Sequence, residues 1–156
     1  FFMSITHLKT GEQAPNFVGI DQNNETVSLE SFRGKKVILY FYPKDNTPTC
    51  TTQACNLRDN DELLNEKGFV TIGISPDSSA SHTKFRAKYD LPFSLIADTD
   101  RSILKLYGVW GEKKFMGRIY DGVHRTTFVI DENGIILDII TKVKTKAHTS
   151  QILESK

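Results

Sequence analysis

Three short apolar runs, spaced so that a helix fits between each pair, constrain this chain more than any other feature. "VILYFY" (Val37 to Tyr42), "FVTIGIS" (Phe69 to Ser75) and "FSLIAD" (Phe93 to Asp98) are nearly continuous stretches of aliphatic, β-branched and aromatic residues. Strands covered on both faces read this way. Between the first two runs, Pro48 to Lys67 reads as a helix, with Ala54, Leu57 and Leu64 on one face and Arg58, Asp59, Asp61 and Glu62 elsewhere. Between the second and third, Ser79 to Tyr89 forms another, with Phe85 and Tyr89 four positions apart. After Asp98, "DTDRSILKLYG" predicts a short helix opened by acidic residues and stopped by Gly108. Thr126 to Ile140, "TTFVIDENGIILDII", predicts a hairpin around an Asp-Asn-Gly turn. Lys146 to Leu153 predicts a last helix, and short strands near Asn16 to Ile20 and Glu25 to Leu29 flank "DQNN" at the other end.

Alternating strands and helices followed by a hairpin imply an α/β fold: a central mixed β-sheet flanked by helices, with an N-terminal extension. A chain of 156 residues can bury one core, and no repeat or linker divides it, so residues 1–156 read as a single domain. Residues 1–7 read as peripheral, with Phe1 and Phe2 foreign residues ahead of a native start at Met3. Val109 to His124, "VWGEKKFMGRIYDGVH", is glycine-rich, basic and weakly periodic, and reads as a long functional loop.

Composition removes several function classes. With 38% hydrophobic and 25% charged residues the chain is neither disordered nor fibrous. A net charge of +1 offers no field for nucleic acid or an anionic membrane. No apolar run approaches the roughly 20 residues of a membrane span. The start, "FFMSITHLKTGEQAP", lacks the basic and apolar segments of a secretion signal, which predicts a cytoplasmic, reducing location. In that compartment a cysteine pair points to catalysis or metal binding rather than to a structural staple.

The chain has two cysteines, Cys50 and Cys55, and both follow the first strand. Thr47 and Pro48 form a helix start, with Thr47 as N-cap and Pro48 at the first helical position. Cys50 then lies in the first turn, among unpaired N–H groups at the positive end of the helix dipole. A free thiol has a pKa near ~8.5. Lowering that by two units takes roughly 2.7 kcal/mol of preference for the thiolate. A helix terminus supplies about 0.3–1 kcal/mol, rising to about 2 in favourable geometry, so a cation is wanted as well. Arg125, at the opening of the strand "RTTFVI", is the candidate, set against a reading as a solvated surface arginine. Residues five apart on an intact helix have Cα atoms about 8.7 Å apart and point about 140° from each other. A disulfide needs Cα atoms within about 7 Å. If the two cysteines react, part of this helix must unwind; otherwise Cys55 is a core cysteine beside Ala54.

Other chemistries find less support. His7, His82, His124 and His148 are scattered away from the cysteines, so no zinc-like ligand set appears. Each reads as a surface residue rather than a ligand; a cysteine hydrolase would need a His partner, and nothing in the sequence locates His124, adjacent to Arg125, in a cleft. A thioredoxin-type pair would be Cys-x-x-Cys, whereas four residues intervene here.

Pro43, Thr47 and Cys50 spell P-x-x-x-T-x-x-C, which resembles the active-site motif of the peroxiredoxins. The longer strings "FYPKDNTPTCTTQACNLRDN", "GVWGEKKFMGRIYDGVHRTTFVID" and "GEQAPNF" resemble the bacterioferritin-comigratory-protein or PrxQ subfamily, over about Leu8 to Leu153. The resemblance implies a thioredoxin-like fold, no cofactor and a monomer. It implies that Cys50 is the peroxidatic cysteine and attacks a hydroperoxide to give a sulfenic acid. Thr47 and Arg125 would hold thiolate and peroxide, and Pro43 would shield them from water. Cys55 would resolve the sulfenic acid as an intramolecular disulfide, and a thioredoxin would reduce it. A one-cysteine peroxidase and a redox-sensing or chaperone-like binding protein are the alternatives. Thr49 departs from the glycine usual before the peroxidatic cysteine, which bears on access and local unfolding. The absence of a "GGLG" segment and of a C-terminal cysteine argues against the obligate-dimer mechanism and implies resistance to overoxidation.

Overall fold

The computed structural model describes residues 6–154. The expected native start at Met3 lies outside them, and so does most of the segment read as peripheral. Thr6 and His7 are described, and the Thr6 hydroxyl donates to the Tyr107 carbonyl at 2.6 Å.

The elements run in the order β1 (Val18–Ile20), β2 (Thr26–Ser28), β3 (Lys36–Phe41), α1 (Pro48–Asp59), α2 (Asp61–Glu66), β4 (Phe69–Ser75), α3 (Ser79–Tyr89), β5 (Ser94–Ala97) and α4 (Ser102–Leu106). Then follow β6 (Trp110–Phe115), β7 (Arg118–Val123), β8 (Thr126–Ile130), β9 (Ile136–Ile140) and α5 (His148–Glu154). Seven strands form one sheet in the order β2-β1-β5-β4-β3-β8-β9. The pairs β3–β4 and β4–β5 are parallel, and β8 and β9 close the sheet antiparallel. The mixed sheet flanked by helices is the architecture the strand–helix alternation implies.

Strand β3 shows why both faces are covered. Val37, Leu39 and Phe41 enter one core cluster, with Ile72, Ile74, Ile96, Tyr107 and Phe128. Ile38, Tyr40 and, just past the strand, Tyr42 enter the other, with Cys50, Ala54, Leu57, Phe85 and Leu95. The two-residue period of a strand sends alternate side chains to opposite layers, so an apolar run with no polar alternation needs helices on both sides. Gly73 in β4 is dictated by this packing: a Cβ there would sit 2.9 Å from both Tyr40 Cζ and Leu95 Cδ2.

Two local expectations are corrected. The helix expected over Pro48 to Lys67 is two helices broken at Asn60. The Asn60 side chain donates to the Asn56 carbonyl at 2.8 Å, the competition with backbone bonding that makes Asn a helix terminator. The expected loop Val109 to His124 is a second, two-stranded sheet, β6 against β7. Its turn is Met116–Gly117, with φ of 51° and 81°. Two successive positive φ values suit the twist of a tight hairpin, and the glycine supplies one of them.

Candidate active site

The site is assembled where β3 ends, α1 begins and β8 starts. Thr47 occupies the N-cap backbone position in extended conformation (φ −91°, ψ 156°), and Pro48 opens the helix. The Thr47 carbonyl accepts from Thr51 N at 2.8 Å, as the first helical bond. Its hydroxyl does not cap the helix as expected: it donates to the Lys44 carbonyl at 3.0 Å. The single hydroxyl hydrogen is thereby committed, and the oxygen lone pairs remain acceptors. Pro43 is half-buried in the loop after β3, and Thr49 is exposed in the first helical turn.

Cys50 is 2% exposed, against Tyr40, Ala54 and Leu57. Arg125 stands one residue before β8, the neighbour of β3 in the sheet, so the chain brings it alongside the helix start. Its Nη2 donates to Cys50 Sγ at 3.1 Å, and its Nη1 donates to Gln53 Oε1. A guanidinium held this way is a charge-assisted donor fixed in plane by two acceptors. The contact places Arg125 against the thiol rather than free in solvent.

Cys55 lies elsewhere on α1. It is half-buried and lines an open concavity of about 380 Å³ with Thr51, Thr52, Asn56, Asp59 and Lys146. Both cysteines are free thiols. Because α1 is continuous from Pro48 to Asp59, the two sulfurs belong to different faces, and the disulfide distance criterion is not met without unwinding.

Three further residues belong to the site. Gln53 is fully buried and holds Arg125, while its Nε2 has no partner among the described residues. It is three positions after Cys50, hence on the same helix face, and that spacing could have identified it. Tyr40 is fully buried, and its hydroxyl also lacks a partner among the described residues. Burial pushes its ionisation well above the ordinary tyrosine range, and the Cys50 charge adds to this. Lys113 of β6 donates to the Val123 carbonyl at 2.9 Å. Partial burial, and then the Arg125 charge, lower its pKa, while Cys50 acts the other way. Nothing in the sequence of the hairpin singles out Lys113.

His7 is exposed as expected, but two other histidines correct the expectation of surface residues. His82 and His148 are fully buried. His124 is half-buried, and its Nε2 lies 2.9 Å from the Glu112 carbonyl in the hairpin.

A mixed sheet with a cysteine at the start of a helix, backed by an arginine from a neighbouring strand, defines a thiol oxidoreductase of the thioredoxin-like class. The AhpC/TSA family model matches residues 10–139. The chain is 45% identical to "Peroxiredoxin Bcp" of Escherichia coli (strain K12), over 94% of each protein. It is similar in structure to peroxidoxin BcpB from Mycobacterium tuberculosis, with a TM-score of 0.84 and 31% identity, covering 95% of this chain and 96% of that one. It also resembles the bacterioferritin comigratory protein of Xanthomonas campestris, studied for alkyl peroxide reduction, with a TM-score of 0.83 and 29% identity over 88% of each chain. The chain belongs to the AhpC/TSA family and is a thiol-dependent peroxidase of the peroxiredoxin type.

Proposed function

We propose that this peroxidase reduces hydrogen peroxide and organic hydroperoxides by a two-cysteine cycle recycled by thioredoxin. The observation that carries the reading is the Arg125 Nη2 donor 3.1 Å from a buried Cys50 sulfur at a helix start. The Cys50 thiolate attacks one peroxide oxygen, and the O–O bond breaks. Sulfur gains that oxygen as a sulfenic acid, and the other oxygen leaves as hydroxide or alkoxide and takes up the proton released when the Cys50 thiol ionised, giving water or an alcohol. Negative charge moves from sulfur along the breaking bond, and Arg125 lies where it is stabilised. Thr47, whose hydroxyl hydrogen is engaged by Lys44, accepts a hydrogen bond from the peroxide OH and orients it. Pro43 limits water at the same loop. The Xanthomonas relative's link to alkyl peroxides supports extending the substrate class beyond hydrogen peroxide.

In the second step the first turns of α1 unwind. The Cys55 thiolate attacks the sulfenic sulfur, hydroxide leaves and takes up the proton released by the Cys55 thiol to become water, and a Cys50–Cys55 disulfide forms. A thioredoxin dithiol reduces it by exchange, and the helix re-forms. The protein acts as a cytoplasmic monomer. A one-cysteine cycle is the second reading, favoured by the placement of the two sulfurs on different faces of an intact helix.

The deciding experiment is stopped-flow oxidation of the reduced chain by an equimolar amount of hydrogen peroxide, followed by intact mass. Fast oxidation with loss of two hydrogens is expected. Fast oxidation that leaves one added oxygen would support the one-cysteine cycle, and absence of a fast reaction would sink the peroxidase reading.

A further inference from the structure

The segment from Pro43 to Thr47 carries two of the proposed site residues, and at its centre is a buried side chain that the thiol chemistry does not use. Asp45 and His82 are both buried, with side chains 3% and 0% exposed. His82 Nδ1 lies 2.7 Å from Asp45 Oδ2, and His82 Nε2 lies 3.0 Å from the Ile96 carbonyl. A carbonyl can only accept, so Nε2 carries a hydrogen. Asp45 takes two more donors: Tyr42 OH on Oδ1 at 2.6 Å and Ser81 Oγ on Oδ2 at 2.8 Å. The Asp45 N–H in turn donates to Asp77 Oδ2 at 2.7 Å, which also accepts from Ser75 Oγ at 2.7 Å. The nitrogen and carboxylate oxygens that Asp45, Asp77 and His82 could offer a cation lie within 4.8 Å of one another, and hydrogen bonds within the protein already engage them.

The neighbouring residue adds to the grip. Asn46 has a φ of 61°, and its side chain accepts from Lys88 Nζ at 3.4 Å and Tyr89 OH at 3.1 Å. Ser81, His82, Lys88 and Tyr89 all belong to α3. The loop that presents Pro43 and Thr47 is therefore fastened to α3 and to the end of β4, while its attachment to α1 is the helix bond from Thr51 to Thr47. That division matters if α1 unwinds during the cycle, because a loop held only by α1 would lose its geometry each time.

We propose that Asp45 and His82 are positioning residues of the peroxidase site. The buried pair clamps the loop to α3, so that Pro43 and Thr47 keep their places while the first turns of α1 open and close. The pair acts through those two residues and does not touch peroxide. The assignment rests on the peroxidase reading above.

The test uses the full chain with Asp45→Asn, His82→Gln and both together. Three quantities are measured separately: the second-order rate of Cys50 oxidation by hydrogen peroxide, the rate of the disulfide step that follows, and the thermal midpoint. Small displacements of orienting groups cost reactions up to about a hundredfold. Each single variant is expected to slow peroxide oxidation by about tenfold or more, with the disulfide step within about twofold of wild type. The double variant is expected to be no slower than the slower single one, because the two side chains act as one unit. If the singles do not fold, Ser81→Ala and Tyr42→Phe each remove one hydrogen bond to Asp45, and each is expected to slow the peroxide step by about threefold. Folded variants with a lower thermal midpoint and wild-type oxidation would overturn the assignment and leave the pair purely structural. Additive losses would overturn its action as a unit. A wild-type chain inert to peroxide would instead overturn the peroxidase reading, and this assignment with it.

Discussion

The two ends of α1 hold similar thiols in opposite circumstances. At the N-terminal end, Cys50 is buried, hydrogen-bonded by Arg125 and within the first helical turn. Five positions on, Cys55 faces an open concavity, and the next residue ties this half of the helix to α5. Asn56 donates to the Lys146 carbonyl at 3.0 Å and accepts from both the backbone N–H and the hydroxyl of Thr149, each at 2.8 Å. Ala54 and Leu57 are fully buried beside it. The end with the chemical environment is thus the end with fewer anchors beyond the site itself, and the accessible thiol is on the anchored half. In the two-cysteine cycle proposed above, one helix would separate the reacting sulfur from its partner, and the difference in anchoring would place the motion in the first turns.

The largest test of that contrast is replacement of each cysteine. Cys50→Ser is expected to abolish fast peroxide consumption. Cys55→Ser is expected to keep the first oxidation within about twofold and to stop with one oxygen added to the protein, because orientation and charge stabilisation reside at the Cys50 end. Stopped-flow traces with intact mass read both. Fast oxidation of the Cys50→Ser chain would reverse the assignment.

Arg125→Met comes next. Removing one pre-oriented donor from a developing negative charge costs about 10²–10³ in rate, and that loss is expected in the second-order rate constant for hydrogen peroxide. Gln53→Leu should cost less, roughly tenfold, since Arg125 keeps its charge and loses one of its two anchors. Equal losses in the two variants would mean that Gln53 contributes more than orientation, and its unpartnered Nε2 is the atom to examine.

Asn56→Ala probes the other half. Removing these contacts to α5 is expected to destabilise the fold by about 1–3 kcal/mol. At this chain length each kcal/mol lowers the thermal midpoint by about 2–4 °C. The rate of disulfide formation is expected to change by less than about twofold if, as proposed, the unwinding is confined to the first turns. A several-fold acceleration would show that the anchored half moves instead, and the contrast between the ends would fail.

How much of this was legible in the sequence depends on how local its physical cause is. The strands at Val37, Phe69 and Phe93 were readable because double-sided burial leaves uninterrupted apolar runs. The start of α1 was readable from Thr47 and Pro48, one a backbone-capping type and the other a residue without an N–H. The break at Asn60 was missed because an Asn tolerated within a helix and one that ends it differ only in where the side chain bonds. The hairpin from Trp110 to Val123 was missed because most of one strand is solvent-exposed on both faces, so no apolar alternation marks it. Arg125 was nameable only as a candidate, since it lies 75 positions from Cys50 in sequence and reaches it only because β8 pairs with β3. Gln53 was within reach through its spacing from Cys50. The buried His82 and His148 were not, because a buried and an exposed histidine look alike until their partners are placed.

The smallest effect concerns the anchor itself. His148 opens α5, one residue before the Thr149 that grips Asn56. Its Nδ1 faces Gln151 Oε1 at 3.0 Å, an acceptor, so that nitrogen carries the hydrogen, and Nε2 accepts from the Thr127 hydroxyl at 2.8 Å. Burial holds its pKa below the ordinary histidine value; the Gln151 bond opposes this, and the Arg125 charge adds to it. The unfolded chain therefore binds a proton at His148 at a higher pH than the folded chain does. The stability this group contributes is fully present above about pH 6.5 and is lost as pH falls toward the depressed folded value. Thermal midpoints measured from pH 7.5 downward are expected to fall more steeply below about pH 6.5 in wild type than in His148→Gln, which has nothing to protonate there. Because the charged imidazole would disturb α5 next to the Asn56 anchor, the same acid range is where the Cys55 half of α1 should begin to loosen. Parallel pH profiles for the two proteins would place the acid sensitivity elsewhere and leave the anchored end of the helix indifferent to pH.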